Sequence, residues 1–191
     1  MDKFQDQTAF SCELRIARAR NVELDSKGSL FVRCYMSAGN KNRVRFETPE
    51  VSSSNMVWNQ SFCLDCFGTK ESMSNMLLEG TVIFELRWRS GVCFFGRTGK
   101  SHLLGKAQVP WKTVFESSTM NIEKWLVMET RKSLSDGVKP PAVQIGMNVE
   151  GTPLSATKAV KRSKSCGDRC QCKSCLNSQL FALDGALEFS C

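Results

Sequence analysis

Apolar and polar residues alternate in short runs from one end of the first 150 residues to the other. Val82, Phe84, Leu86 and Trp88 alternate with Ile83, Glu85, Arg87 and Arg89, largely the period-2 signature of a half-buried strand. The runs "SCELRIA", "SLFVRCYM", "MVWNQSFCLDC", "LLGKAQVPW", "EKWLVMET" and "AVQIGMNVE" continue the series, separated by turn-rich connectors such as "LDSKG", "SAGNKN" and "SSSN". Strands at this spacing, with no run of strong helices between them, predict an antiparallel β-sandwich. The expected architecture is all-β with eight strands, followed by a largely disordered tail.

The pattern breaks near Gly151. We divide the chain into a lead-in over 1–9, a sandwich over 10–150, a basic Cys-rich linker over 151–175 and an amphipathic C-terminal segment over 176–191. Leu176, Leu180, Leu183 and Leu187 fall on one face of a short helix, which Gly185 weakens. The linker lacks apolar periodicity. From 151 onward, six Lys or Arg outweigh three Asp or Glu, so the tail carries +3 of the chain's net +7. That balance favours anionic partners: a phospholipid surface, nucleic acid or an acidic protein.

At 191 residues the chain can bury a full core plus a tail. Its start, "MDKFQDQTAF", lacks the basic-then-apolar order of a secretory leader, and no run approaches the about 18 apolar residues of a membrane span. The expected location is the cytoplasm, peripheral on membranes. The ten cysteines then read as reduced thiols. Cys12, Cys34 and Cys63 look like small core hydrophobes inside strands. Cys166, Cys170, Cys172 and Cys175 form C-x3-C-x-C-x2-C. Four thiols this close could hold zinc, be S-acylated beside the basic run, or stay unmodified, and the spacing alone leaves all three open.

One connector carries its greasiest residues at its tip. Between Gly91 and Gly99 stand Val92, Cys93, Phe94 and Phe95, with Arg87 and Arg89 behind and Arg97 and Lys100 ahead. An apolar wedge inside a cationic collar suits an anionic membrane surface, where each basic group contributes about 1 kcal/mol. A cap folded back onto the sandwich end and a protein docking patch remain the alternatives. Lys41, Arg43 and Arg45, spaced by two, share one strand face, and Arg33 on the preceding strand can join them.

"CELRIARARNVELDSKGSLFVRCYMS", "NRVRFETPEV", "MVWNQSFCLDC", "VIFELRWR" and "HLLGKAQVPW", in this order over residues 10–150, resemble the C2 domain, the calcium- and lipid-binding sandwich, as found in small single-domain proteins of the plant type. The first strand runs directly into the Asp25 loop and "AVQIGMNVE" closes the domain, which resembles the second of the family's two permuted topologies. The resemblance implies a calcium site between two loops. Asp25 matches its first-loop ligand, while Ser29 and Leu30 stand in place of Asp-Pro, and Trp88 and Ser90 in place of the third-loop aspartates. One carboxylate among many cations does not suit a hard divalent ion that needs six to eight oxygens, so calcium is not expected. The implied role is calcium-independent peripheral membrane binding through the basic-aromatic loop. A protein-interaction adaptor using the same loop is the alternative, with calcium-dependent lipid binding, or a zinc-binding tail with weak nucleic-acid contact, behind it. The resemblance also permits a phosphoinositide-binding role for the Arg33, Lys41, Arg43 and Arg45 face, beside the reading of a solvated surface. No cofactor is expected beyond zinc in the tail, and no oligomeric state is indicated. The lone His102 and the absence of a nucleotide loop, a nucleophile elbow or an HExxH helix argue against catalysis.

Overall fold

The structure, a computed structural model, describes residues 7–24, 26–38, 42–90, 100–131, 137–150 and 179–182. Its strands are β1 (Gln7–Arg20), β2 (Gly28–Ala38), β3 (Asn42–Glu47), β4 (Val51–Ser52), β5 (Val57–Thr69), β6 (Thr81–Ser90), β7 (His102–Pro110), β8 (Asn121–Val127), β9 (Ala142–Glu150) and β10 (Gln179–Ala182); α1 (Lys70–Glu79) follows β5 and α2 (Trp111–Phe115) follows β7. One sheet has the order β10-β5-β1-β9-β8 and the other β3-β2-β6-β7, with β4 on β2. Every pairing within these sheets is antiparallel except β10 on β5. The described residues thus hold ten strands rather than the expected eight, the additions being the two-residue β4 and β10.

The inward faces form one core. Cys12, Leu14 and Ile16 of β1, Phe62, Leu64 and Cys66 of β5, and Val143, Ile145, Met147 and Val149 of β9 meet Val32, Cys34 and Met36 of β2 and Val82, Phe84 and Leu86 of β6. Period-2 alternation explains this sorting, since one register puts every apolar residue of a strand on the same side. Cys63 is the exception to the expected buried thiols, being half-buried between Phe62 and Leu64, because odd positions of β5 face away from the core. The two helices were not foreseen. Trp111 and Val114 of α2 and Met76 of α1 are buried and close the end where β6 and β7 meet at Thr81 and Pro110.

The C-terminal segment differs from expectation. Residues 179–182 run parallel to Leu64–Phe67 as a strand where leucine spacing predicts a helix. Four residues beside an open sheet edge gain backbone hydrogen bonds that a short helix interrupted by Gly185 gains less readily. The linker with Cys166, Cys170, Cys172 and Cys175 lies outside the described residues.

Candidate functional site: the loop end of the sandwich

Register places the ends of several strands together. Arg20 lies opposite Ala142, Gly28 opposite Ser90, Trp88 opposite His102, and Val127 opposite Ala142. The ends of β1, β6 and β8 and the starts of β2, β5, β7 and β9 therefore gather together. Two register shifts stand just below them, between Ile16 and Arg18 and between Leu86 and Arg87. Bulges re-aim side chains and bend strands, often beside functional sites.

A cleft of about 510 Å³ opens here. Val22, Leu24, Trp88 and Leu104 form its apolar floor, each packed against the core. Glu23, His102, Arg131 and Lys139, all exposed, stand around it. Asn21, left-handed at φ 55°, turns the chain out of β1 and donates its side-chain N–H to the Pro140 carbonyl at 3.3 Å. Met128 N–H donates to the Pro141 carbonyl at 2.8 Å, which closes the β8–β9 pair beside the cleft. Gly28 supports the floor from below: a Cβ there would run into the Trp88 indole and the Arg89 carbonyl. The Trp88 ring lies 5.7 Å from that of His102, and its Nε1 is buried with no hydrogen-bond partner among the described residues.

The structure thus places Trp88 in the cleft and Ser90 at the end of β6, the positions that the resemblance assigns to calcium-binding aspartates. Ser29 donates to Glu50, and Leu30 is wholly buried. Asp25, Val92, Phe94, Phe95 and Arg97 lie outside the described residues, as does Lys41. Among the described residues no group of three His, Cys, Asp or Glu is placed to hold a metal ion.

Two collar cations are already engaged. Arg87 donates to Glu85 Oε2 at 2.7 Å, to Ser101 Oγ at 3.0 Å and to the Ser101 carbonyl at 3.2 Å. It is a strut across the base of the 91–99 segment. Arg89 pairs with Glu50 and lies 5.2 Å from the Phe31 ring. Lys100 is exposed.

Arg33, Arg43 and Arg45 do share a face. Tyr35 sits opposite Arg45, Ser37 opposite Arg43, and Arg33 opposite Glu47. Glu47 Oε1 accepts from Arg33 at 2.6 Å and from Arg45 at 3.0 Å. Burial works against the Arg33 charge, but Tyr35 and Glu47 outweigh it and raise its pKa. Phe31, buried on this outer face, lies beneath Arg33 and Arg89, whose guanidinium carbons are 5.7 and 5.2 Å from its ring.

One cationic-aromatic group was missed. Strict alternation along β1 would turn Arg18 and Arg20 inward with Leu14 and Ile16. The bulge after Ile16, where β1 has one residue more than β9, turns them out, and they cover Trp125 of β8 at 5.6 and 4.0 Å. The local signal was "ARAR" itself, since two arginines in core positions are untenable without partners.

Neither a family model nor a curated protein sequence matches the chain. Solved structures do. CC2D1B, described as coordinating ESRCT-III activity during the mitotic reformation of the nuclear envelope, matches with 14% identity and a TM-score of 0.54 over 72% of this chain and 54% of that one. Human GIVD cytosolic phospholipase A2 matches with 14% identity and a TM-score of 0.53 over 76% of this chain and 16% of that one. A single C2 domain of plant extended synaptotagmin 1 matches at 16% identity and a TM-score of 0.48, over 74% of this chain and 95% of the domain. The chain thus spans about half the length of the first and about a sixth of the second. The fold is a C2-like antiparallel β-sandwich.

Proposed function

We propose that this protein is a non-catalytic module that docks peripherally on anionic phospholipid membranes without calcium, loop end first. The observation that carries the reading is the composition of the loop-end cleft. Where a calcium site needs several carboxylates, the described cleft residues present Trp88 and the rest of an apolar floor, with Arg131 and Lys139 against the single Glu23. A divalent cation gains little there, whereas an anionic interface meets fixed positive charge and apolar surface together.

The pairing of Arg87 and Arg89 moves the source of attraction. Their charges are offset by Glu85 and Glu50, so Lys100, Arg131, Lys139 and Arg43, together with Arg45, which is offset only in part by the Glu47 it shares with Arg33, are the exposed cations that an anionic surface would meet. Val92, Phe94 and Phe95, between the Arg87 strut and Lys100 in sequence, supply the apolar wedge in this reading, and Arg97 belongs to its cationic collar.

Sedimentation with anionic and zwitterionic vesicles, in chelator and in calcium at two salt concentrations, tests it. Binding to anionic vesicles is expected to persist in chelator, weaken with salt and fall in a Phe94→Ala/Phe95→Ala variant. Binding that requires calcium, or no binding under any of these conditions, would overturn the reading; the latter turns attention to a protein partner.

A further inference from the structure

The loop-end cleft is more than a surface of the right charge, because it is the size and polarity of a ligand site. Its volume of about 510 Å³ lies within the roughly 300–1,000 Å³ of small-molecule pockets. Its floor of Val22, Leu24, Trp88 and Leu104 continues the core outward. Leu104 reaches it because the β6–β7 bulge leaves that residue without an opposite partner: Leu86 faces Gly105 and Arg87 faces Leu103. The exposed cations Arg131 and Lys139 stand beside this floor and take part in no ion pair among the described residues.

We propose that this cleft binds one anionic lipid, its acyl chain on the Val22, Leu24, Trp88 and Leu104 floor and its head group between Arg131 and Lys139. The chemistry is that of an amphiphile. An apolar floor rewards burial of methylenes, and two cations without an ion pair among the described residues reward a negative head. A hydrated metal ion would find neither benefit. Glu23 opposes the head-group charge from the same rim and so favours a ligand whose negative charge is held on the side of Arg131 and Lys139. This inference rests on the membrane reading for its source of lipid, and its binding chemistry is testable without a bilayer.

The probe is doxyl-labelled stearate, kept below its critical micelle concentration, with quenching of tryptophan emission in the full chain. Saturable one-site quenching is expected, and Trp88→Phe should remove most of it while Trp58, Trp111 and Trp125 still emit. Arg131→Glu/Lys139→Glu should weaken stearate roughly tenfold and leave the uncharged methyl ester unchanged. Both positions are exposed, so the variant's melting curve should match that of the parent. Quenching that rises without saturation, or is the same in Trp88→Phe, overturns the site. So does equal loss of acid and ester in the charge-reversed protein. Vesicle sedimentation run in parallel separates the two readings. Vesicle binding without saturable quenching defeats the cleft alone, and saturable quenching without vesicle binding defeats the membrane reading alone.

Discussion

Cys34 has no side-chain exposure at all, and burial lifts its thiol pKa well above the ordinary range. Cys12 is raised too, by its hydrogen bond with Cys66 and then by burial. Each thiol keeps its proton in the folded protein at pH values where the unfolded chain, near 8.5, gives it up. Their stabilising contribution is therefore complete below about pH 8.5 and declines as pH rises beyond it, by up to about 1.4 kcal/mol per pH unit for each thiol. Thermal melts from pH 7 to 10 should show this alkaline loss, and Cys34→Ala should remove the share that Cys34 contributes. Gly28 makes a second prediction. Because a Cβ would collide with the Trp88 indole and the Arg89 backbone, Gly28→Ala should cost about 1–3 kcal/mol in denaturant unfolding and displace Trp88 from the cleft floor. The burial of Cys12 and Cys34 was legible from their places in alternating strands. The need for Gly28 was not, because Trp88 comes to lie over it only through the pairing of β2 with β6.

The β2–β3 pair shows what strand geometry adds to a charge pattern. Arg43 and Arg45 were readable as one face from their spacing, and Arg33 joins them across the ladder. Glu47 sits in the same row and neutralises part of it. Arg43→Glu/Arg45→Glu should therefore weaken binding to anionic vesicles roughly tenfold or more, while Glu47→Gln should strengthen it. Sedimentation at low salt reads both, and unchanged binding in both variants would remove this face from the interface. The bulges are the counterpart that spacing could not reveal. A single residue extra in β1 relative to β9 reverses the facing of Arg18 and Arg20, and one in β7 relative to β6 brings Leu104 to the cleft. The edge strand β10 also depended on a partner distant in sequence. Removing residues 176–191 should uncover β5 and speed amide exchange over Leu64–Phe67, while leaving the β2–β6 pairing protected.

For the molecule as a whole, the distribution of charge matters more than its net value of +7. With Arg87, Arg89 and Arg33 each facing a carboxylate, attraction to an anionic surface falls to exposed cations at the loop end and along β3. Calcium should leave the melting temperature unchanged within error, because ligands stabilise only in proportion to their affinity for the folded state. A calcium-dependent rise of several degrees would overturn the calcium-independent reading.

Local periodicity was enough to specify the sandwich and most of its inward-facing residues, with Cys63, Arg18 and Arg20 as exceptions, and the family resemblance was what marked Trp88 and Ser90 as standing in place of acidic residues. Which cations remain available was settled by folding, since Glu50 reaches Arg89 across 39 positions of chain and Ser101 reaches Arg87 across 14. Folding also made the loop end an apolar cleft: Val22, Leu24, Trp88 and Leu104 come from three segments of the chain, and long-range pairing with two bulges brings them to one floor.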